Sequence, residues 1–251
     1  MSHVLKKSTG GTYSYDVKLN LLRQGETEWK TNLLLHTDGT PTEHGFVSTL
    51  PYKEGFFITW LDGRHTVEDV EGNRGAMTLR AAEVSITGKV GNAIELDNRI
   101  CDCCQTTAAI TANGPVVMYR DRSVDEVRDM SIVRWENGSW TAPKRVYADN
   151  WKIKGCPVNG PKAAAVANTL VMAWFTAANQ EPKVQVIFSS DNGATFDQPI
   201  LVSEAHAMGR VDLLLLDEQS AIVSWMESNA EKAQLKAVKV HADGTKGRAH
   251  V

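Results

Sequence analysis

The chain has 251 residues, 42% of them apolar, and a formal net charge of -3, enough material for a sizeable core in an ordinary soluble chain. The charge balance lacks the basic excess that nucleic-acid binding uses, and the longest weakly polar run, Ala163 to Ala178, is broken by Asn168 and two threonines and is too short to span a bilayer. Met1 to Asp16 has no apolar core of the kind a secretory signal carries.

Taken in order, the chain repeats one theme: a strand-like run that ends in an aromatic residue, followed by a polar loop. Phe56 to Trp60 leads into Leu61-Asp62-Gly63-Arg64, and Val116 to Tyr119 into Arg120-Asp121-Arg122. Leu170 to Trp174 leads into Phe175-Thr176, and Ala221 to Trp225 into Met226-Glu227. The four aromatics are 59, 55 and 51 residues apart, close to the ~40 to 50 residues of a propeller blade. Hairpin tips fall at Arg23 to Glu28, Thr87-Gly88-Lys89, Glu136-Asn137-Gly138-Ser139 and Ser189 to Phe196, and Trp29, Trp140 and Phe196 follow three of them. There is almost no sustained 3.6-residue apolar period, so an all-β chain with little helix is expected.

Laid out as four-stranded antiparallel blades, the units run over about 12–35, 45–98, 106–154, 162–206 and 211–240 of a single β-propeller domain. That is nearly five blades, and an open ring would expose strand edges, so the reading is an incomplete ring, truncated at its N-terminus. A two-sheet sandwich is the alternative, and the repeat argues against it.

In a four-stranded meander the crossovers between blades and the loops between the second and third strands share one end. That end gathers His44, the Cys101-Asp102-Cys103-Cys104-Gln105 run, Cys156 to Pro161 and Arg210, with Asp62, Arg64, Arg120, Asp121, Arg122, Asp125, Glu126 and Arg128 on the loops. Polar groups converging at a pocket mouth are the default ligand site. Arg120 and Arg122 are alternate residues, expected to face one side and hold an anion, with Arg64 and Arg210 beside them. Asp62 and Asp121 would orient ligand hydroxyls or transfer protons, while Gln105 and Asn159 supply neutral hydrogen bonds. Solvated loops with local ion pairs are the plainer reading of Asp125, Glu126 and Arg128.

Three cysteines in Cys101-x-Cys103-Cys104 do not match the paired C-x-x-C spacing of structural zinc sites. The repeat puts Cys156 in the neighbouring crossover, where it can meet one of the three in a disulfide. Alternatively Cys101, Cys103, Cys104 and Cys156 with His44 hold copper or zinc, or serve redox chemistry.

The turn Ser189-x-Asp191-x-Gly193-x-Thr195-Phe196 resembles the Asp-box of sialidase-type β-propellers, with Phe196 where Trp is more usual. Together with Thr40 to Gly45, Arg99 to Thr106, Tyr119 to Asp129 and Gly155 to Pro161, it makes the chain from about Asp16 to Lys239 similar to a family of bacterial sialidase-like propellers, whose distinctive stretches are Cys-Asp-Cys-Cys-Gln and Cys-Pro-Val-Asn-Gly-Pro. The resemblance implies a six-bladed sialidase-type β-propeller, of which this chain would be an incomplete ring, and a periplasmic or exported protein. It also implies an exo-α-sialidase-like hydrolase in which Arg120, Arg122 or Arg210 supplies part of a carboxylate clamp and Tyr119 stands as the candidate nucleophile. The Arg-Ile-Pro signature of the first clamp arginine is absent. The expected ligand is a glycan or acidic small molecule, with no nucleic acid; the alternatives are a non-catalytic propeller with a Cys/His metal or redox site, and a protein-interaction scaffold.

Overall fold

The structure, a computed structural model, describes residues 1–7, 11–68, 70–204, 206–229 and 232–251. The chain divides into two compact units, Met1–Asp102 and Cys103–Val251. Among the described residues there is no α-helix, only one 3₁₀ turn at Ala178–Gln180.

The first unit holds two antiparallel sheets. In one, β1 (Ser2–Lys7), β2 (Tyr15–Leu21) and β3 (Lys30–Leu34) pair in that order. The unit expected over about 12–35 begins after β1, which adds a strand paired from Ser2 opposite Asn20 to Lys7 opposite Tyr15. The other sheet is a meander of β4 (His44–Tyr52), β5 (Gly55–Asp62), β6 (Thr78–Ser85) and β7 (Ile94–Asp97). Val17, Leu19 and Leu35 pack with Ile58, Trp60, Ala82 and Val84 in one core cluster.

The second unit has three sheets. The first contains β8 (Thr107–Thr111), β9 (Gly114–Arg120), β10 (Met130–Glu136), β11 (Ser139–Trp140) and β12 (Lys144–Arg145), the last two both pairing with β10. The next is a meander of β13 (Lys162–Val166), β14 (Thr169–Thr176), β15 (Lys183–Ser189) and β16 (Ile200–Leu201). The last is β17 (Ala207–Asp217), β18 (Ser220–Ser228) and β19 (Ala233–His241). Cores between these sheets join Met118, Ile132 and Trp174, and separately Val186, Val223 and Trp225.

The four aromatic-ending runs are β5, β9, β14 and β18, each flanked by strands on both sides. Every residue of β9 and β14 is buried, which is why they read as unbroken apolar runs rather than alternating ones. Trp60, Tyr119, Trp174 and Trp225 are all fully buried. A buried indole needs an acceptor for its N–H. Trp60 Nε1 donates to Asp62 at 2.9 Å, Trp225 Nε1 to Glu227 at 2.6 Å and Trp174 Nε1 to Asp149 at 2.7 Å. The repeat therefore carries a carboxylate partner with each tryptophan, two of them spaced Trp-x-acid.

The turn from Ser189 to Phe196 closes on its own side chains. Ser189 Oγ donates to Asp191 at 2.8 Å and accepts from the Gly193 amide at 2.9 Å, while Asp191 accepts from the Thr195 amide at 2.8 Å and its hydroxyl at 2.6 Å. Gly193 has φ +80, and a Cβ there would lie 2.8 Å from Ile132 and from Leu170. Both the backbone angle and the close approach require glycine. Phe196 packs half-buried against the neighbouring core, whereas Trp29, after the first tip, is exposed.

Candidate functional site

In the first unit the strand register sets His44, the first residue of β4, opposite Asp62, the last of β5. His36 and Asp38, from the segment between β3 and β4, complete a buried group with them. The His36 and His44 rings stack with centroids 3.8 Å apart and planes 8° from parallel. The Val17 amide donates to His36 Nε2 at 3.1 Å, so the proton of that ring sits on Nδ1 and is given to Asp38 Oδ2 at 2.8 Å. His44 Nδ1 lies 3.0 Å from the Tyr15 carbonyl and 3.2 Å from that of Thr42, acceptors only, so it too is protonated. His44 Nε2 is buried and makes no hydrogen bond, yet lies 3.3 Å from Asp38 Oδ2 and 3.6 Å from Asp62 Oδ1.

Both carboxylates are held ionised. Burial pushes Asp38 up, but hydrogen bonds from the Thr40 hydroxyl and amide, with His44 and His36, outweigh it and keep the group well below the ordinary carboxylate range. Burial likewise raises Asp62, against the stronger sum of the Arg64 fork, His44 and the Trp60 indole. Arg64 grips Asp62 through Nε and Nη2, each at 2.7 Å, and its Nη2 is 3.4 Å from Asp38. Its Nη1 makes no hydrogen bond to the described residues, and 21% of the side chain is exposed. Burial and then His44 push His36 down. Beside this group Glu43 goes the other way: burial and the Asp102 charge raise its carboxyl, with His44 opposing.

His44, Asp62 and Arg64, named from sequence, thus meet here. His36, Asp38 and Glu43 were not singled out; Glu43 lies inside the Thr40 to Gly45 crossover, the one signal that could have found it.

In the second unit most of the remaining candidates converge on one segment, Cys156 to Pro161, and bond to it. Cys156 is joined to Cys103 by a disulfide. Arg120 Nε and Nη2 donate to the Asn159 carbonyl at 3.0 and 2.9 Å, Nη1 to that of Arg128 and Nη2 to that of Phe175, both at 2.7 Å, and the guanidinium lies over the Trp151 ring. Asn159 Oδ1 accepts from the Arg210 amide at 2.9 Å, and Arg210 Nη1 donates to the Val158 carbonyl at 2.8 Å. Gln105 Oε1 accepts from the Gly160 amide at 3.2 Å; a Cβ on Gly160 would stand 1.9 Å from the Gln105 carbonyl oxygen.

Arg120 and Arg122, expected to face one side, have different partners, and the reason is local. β9 ends at Arg120, so the two-residue alternation of a strand does not extend to Arg122. Arg120 is 1% exposed, while Arg122 leaves the sheet and pairs with Glu126 at 2.8 Å, as Arg128 does at 2.9 Å. Asp121 accepts from the Arg122 amide and the Ser131 hydroxyl, and Tyr119 lies in the core at 1% exposure. Cys101 and Cys104 are buried outside the disulfide. A disulfide sulfur is no thiolate, so Cys103 and Cys156 could join a soft-metal set only after reduction.

The two arginines pull Glu126 down to about 2. A depressed carboxyl stabilises the fold fully above its unfolded value, 4.5, and loses that contribution as pH falls through its folded value. Glu126→Gln is therefore expected to flatten the acid limb of a stability-against-pH curve between about pH 4.5 and 2, by no more than about 1 kcal/mol because the cluster is solvent-screened. Urea midpoints measured across that range check it, and an unchanged acid limb would sink it.

No family model matches the chain, and no curated protein matches it in sequence. Solved structures do resemble it. The Hadza microbial sialidase Hz136 is 12% identical over 83% of this chain and 46% of that one, with a TM-score of 0.53. A protein of unknown function from Dyadobacter fermentans is 12% identical over 82% and 68%, TM-score 0.54. A xylan β-1,4-xylosidase from Bacillus halodurans is 10% identical over 97% and 52%, TM-score 0.50. The chain spans about half the length of the sialidase and of the xylosidase. At such identities the likeness is one of fold: the chain is all-β, built of antiparallel sheets, and of the β-propeller class found among glycosidases. No described helix is long and apolar enough to cross a membrane.

Proposed function

We propose that the chain recognises a carbohydrate bearing an acidic group, at the rim of the first unit where Arg64 is held. The observation that carries this reading is a guanidinium fixed by the buried Asp62 with Nη1 left over and part of the side chain in solvent. A pre-positioned fork recognises a sugar carboxylate with little ordering cost. His65, Arg80 and Glu95 stand close by, linked to each other through Glu95, and give polar edges of the kind hydroxyl groups need. The glycosidase-class fold supports a sugar as the ligand, and the Cys103–Cys156 disulfide suits the oxidising compartment implied by the family resemblance. Titration with sialic and uronic acid oligosaccharides, followed by ligand-detected NMR, tests it. Binding should weaken ~10-fold or more in Arg64→Ala and be indifferent to Arg122→Ala; equal binding by wild type and Arg64→Ala would refute it.

A second reading, glycoside hydrolysis, draws on Glu43. Hydrolases of this chemistry need one carboxyl kept protonated and another ionised, and Glu43 is raised where Asp62 is lowered. Tyr119 and Arg120 do not favour a sialidase-type variant, since the first is in the core and the second is committed to backbone carbonyls. A panel of umbelliferyl glycosides decides the matter. Turnover that falls ~10²-fold or more in Glu43→Gln while binding persists supports hydrolysis; absence of turnover on every substrate leaves recognition as the function.

A further inference from the structure

The cluster behind Arg64 has a property that sugar recognition does not use. His44 Nδ1 is anchored on backbone carbonyls, so Nε2 is the atom that projects toward the Asp38 and Asp62 carboxylates. Three possible ligand atoms, from the buried His44 and Asp62 and the partly buried Asp38, face one another with no hydrogen bond at the nitrogen. Such an arrangement suits a bound cation. The spacing says which kind. Bonds of ~2.0–2.2 Å at tetrahedral angles keep two ligand atoms ~3.3–3.6 Å apart, and Nε2 lies 3.3 Å from Asp38 Oδ2 and 3.6 Å from Asp62 Oδ1. All three atoms fall within 4.8 Å of one another.

We propose that Asp38 Oδ2, His44 Nε2 and Asp62 Oδ1 form a binding site for a divalent first-row metal ion, with Arg64 as its competitor. Two carboxylates and an imidazole are donors of the borderline-to-hard kind that zinc and manganese accept. The outer layer is already in place: His44 is oriented through Nδ1, and Asp38 is held by Thr40 and by the His36 N–H, the arrangement that fixes ligands around bound metals. Arg64 occupies Asp62 through both oxygens and reaches Asp38. It acts as a built-in cation at the entrance, and the metal must displace its fork from Asp62 Oδ1. Two carboxylates then balance one divalent ion. This set shares only His44 with the cysteine-centred set expected from sequence, and it stands whether or not a glycan binds.

The experiment is calorimetric titration of the disulfide-intact chain with Zn²⁺ and, separately, Mn²⁺, which has little affinity for thiols. One ion per chain is expected. Arg64→Gln should bind about 10-fold more tightly, since it removes the competing charge, and Asp38→Asn and His44→Ala should bind at least ~100-fold more weakly. The arginine variant thus moves metal affinity up and sugar affinity down, so failure of one reading is distinguishable from failure of the other. No binding by either wild type or Arg64→Gln overturns the site, as does undiminished binding by a folded Asp38→Asn. Should the cluster variants fail to fold, the ¹⁵N resonance of His44 Nε2 in the wild type decides: a shift on saturation with Zn²⁺ supports the site, and a persistent imidazolium signal overturns it.

Discussion

Removing the Cys103–Cys156 bond, by reduction or as Cys103→Ser/Cys156→Ser, is expected to cost the second unit about 4 kcal/mol of stability. The bond closes a loop of sequence separation 53, and the loss of loop-closure entropy from the unfolded chain amounts to about 4 kcal/mol at that length. The native segment is not left loose without it, because Arg120, Gln105 and Asn159 still hold Cys156 to Pro161. The folded geometry should therefore survive while the unfolded ensemble gains freedom. Urea unfolding of the oxidised and serine forms, read from the second unit's tryptophans, checks this; a difference under about 1 kcal/mol would contradict the chain-entropy account.

Arg120→Met should be nearly as severe, at about 3–5 kcal/mol. The side chain is buried and has carbonyls of Asn159, Arg128 and Phe175 as its acceptors. A methionine fills much of the volume and returns none of the donors, so three acceptors lose a charge-assisted bond in a region with little water. The contact with Trp151, 4.8 Å from the guanidinium carbon to the ring centroid, is lost as well. Arg120→Lys keeps the charge but reaches fewer of the three carbonyls, because only the planar fork spans them, and should recover less than half of the deficit. Both substitutions act on the same segment as the disulfide, so their combination is expected to cost less than the sum. A drop of less than about 1 kcal/mol in Arg120→Met would show that water replaces the guanidinium.

What was legible beforehand follows from what is local. The aromatic-ending runs are visible in sequence because a strand buried on both faces is a continuous apolar stretch, and the Ser189 to Phe196 turn is visible because its hydrogen bonds lie within eight residues. His44, Asp62 and Arg64 were found by their place at strand ends. His36 and Asp38 were not, since their roles come from a ring stacked across chain segments and a carboxylate held by Thr40, neither of which leaves a periodic mark. The setting of Arg120 was hidden for a different reason: nothing in the sequence announces that its donors end on the carbonyls of Arg128, Asn159 and Phe175.

The carboxylate-bonded tryptophans carry a practical consequence. An indole proton that is both buried and engaged exchanges with solvent only when its surroundings open, so Trp60, Trp174 and Trp225 form three slow clocks in separate sheets. The exposed Trp29 indole should exchange at once and serve as their zero. Hydrogen–deuterium rates at these four nitrogens would report, sheet by sheet and in a single spectrum, which part of the chain opens first.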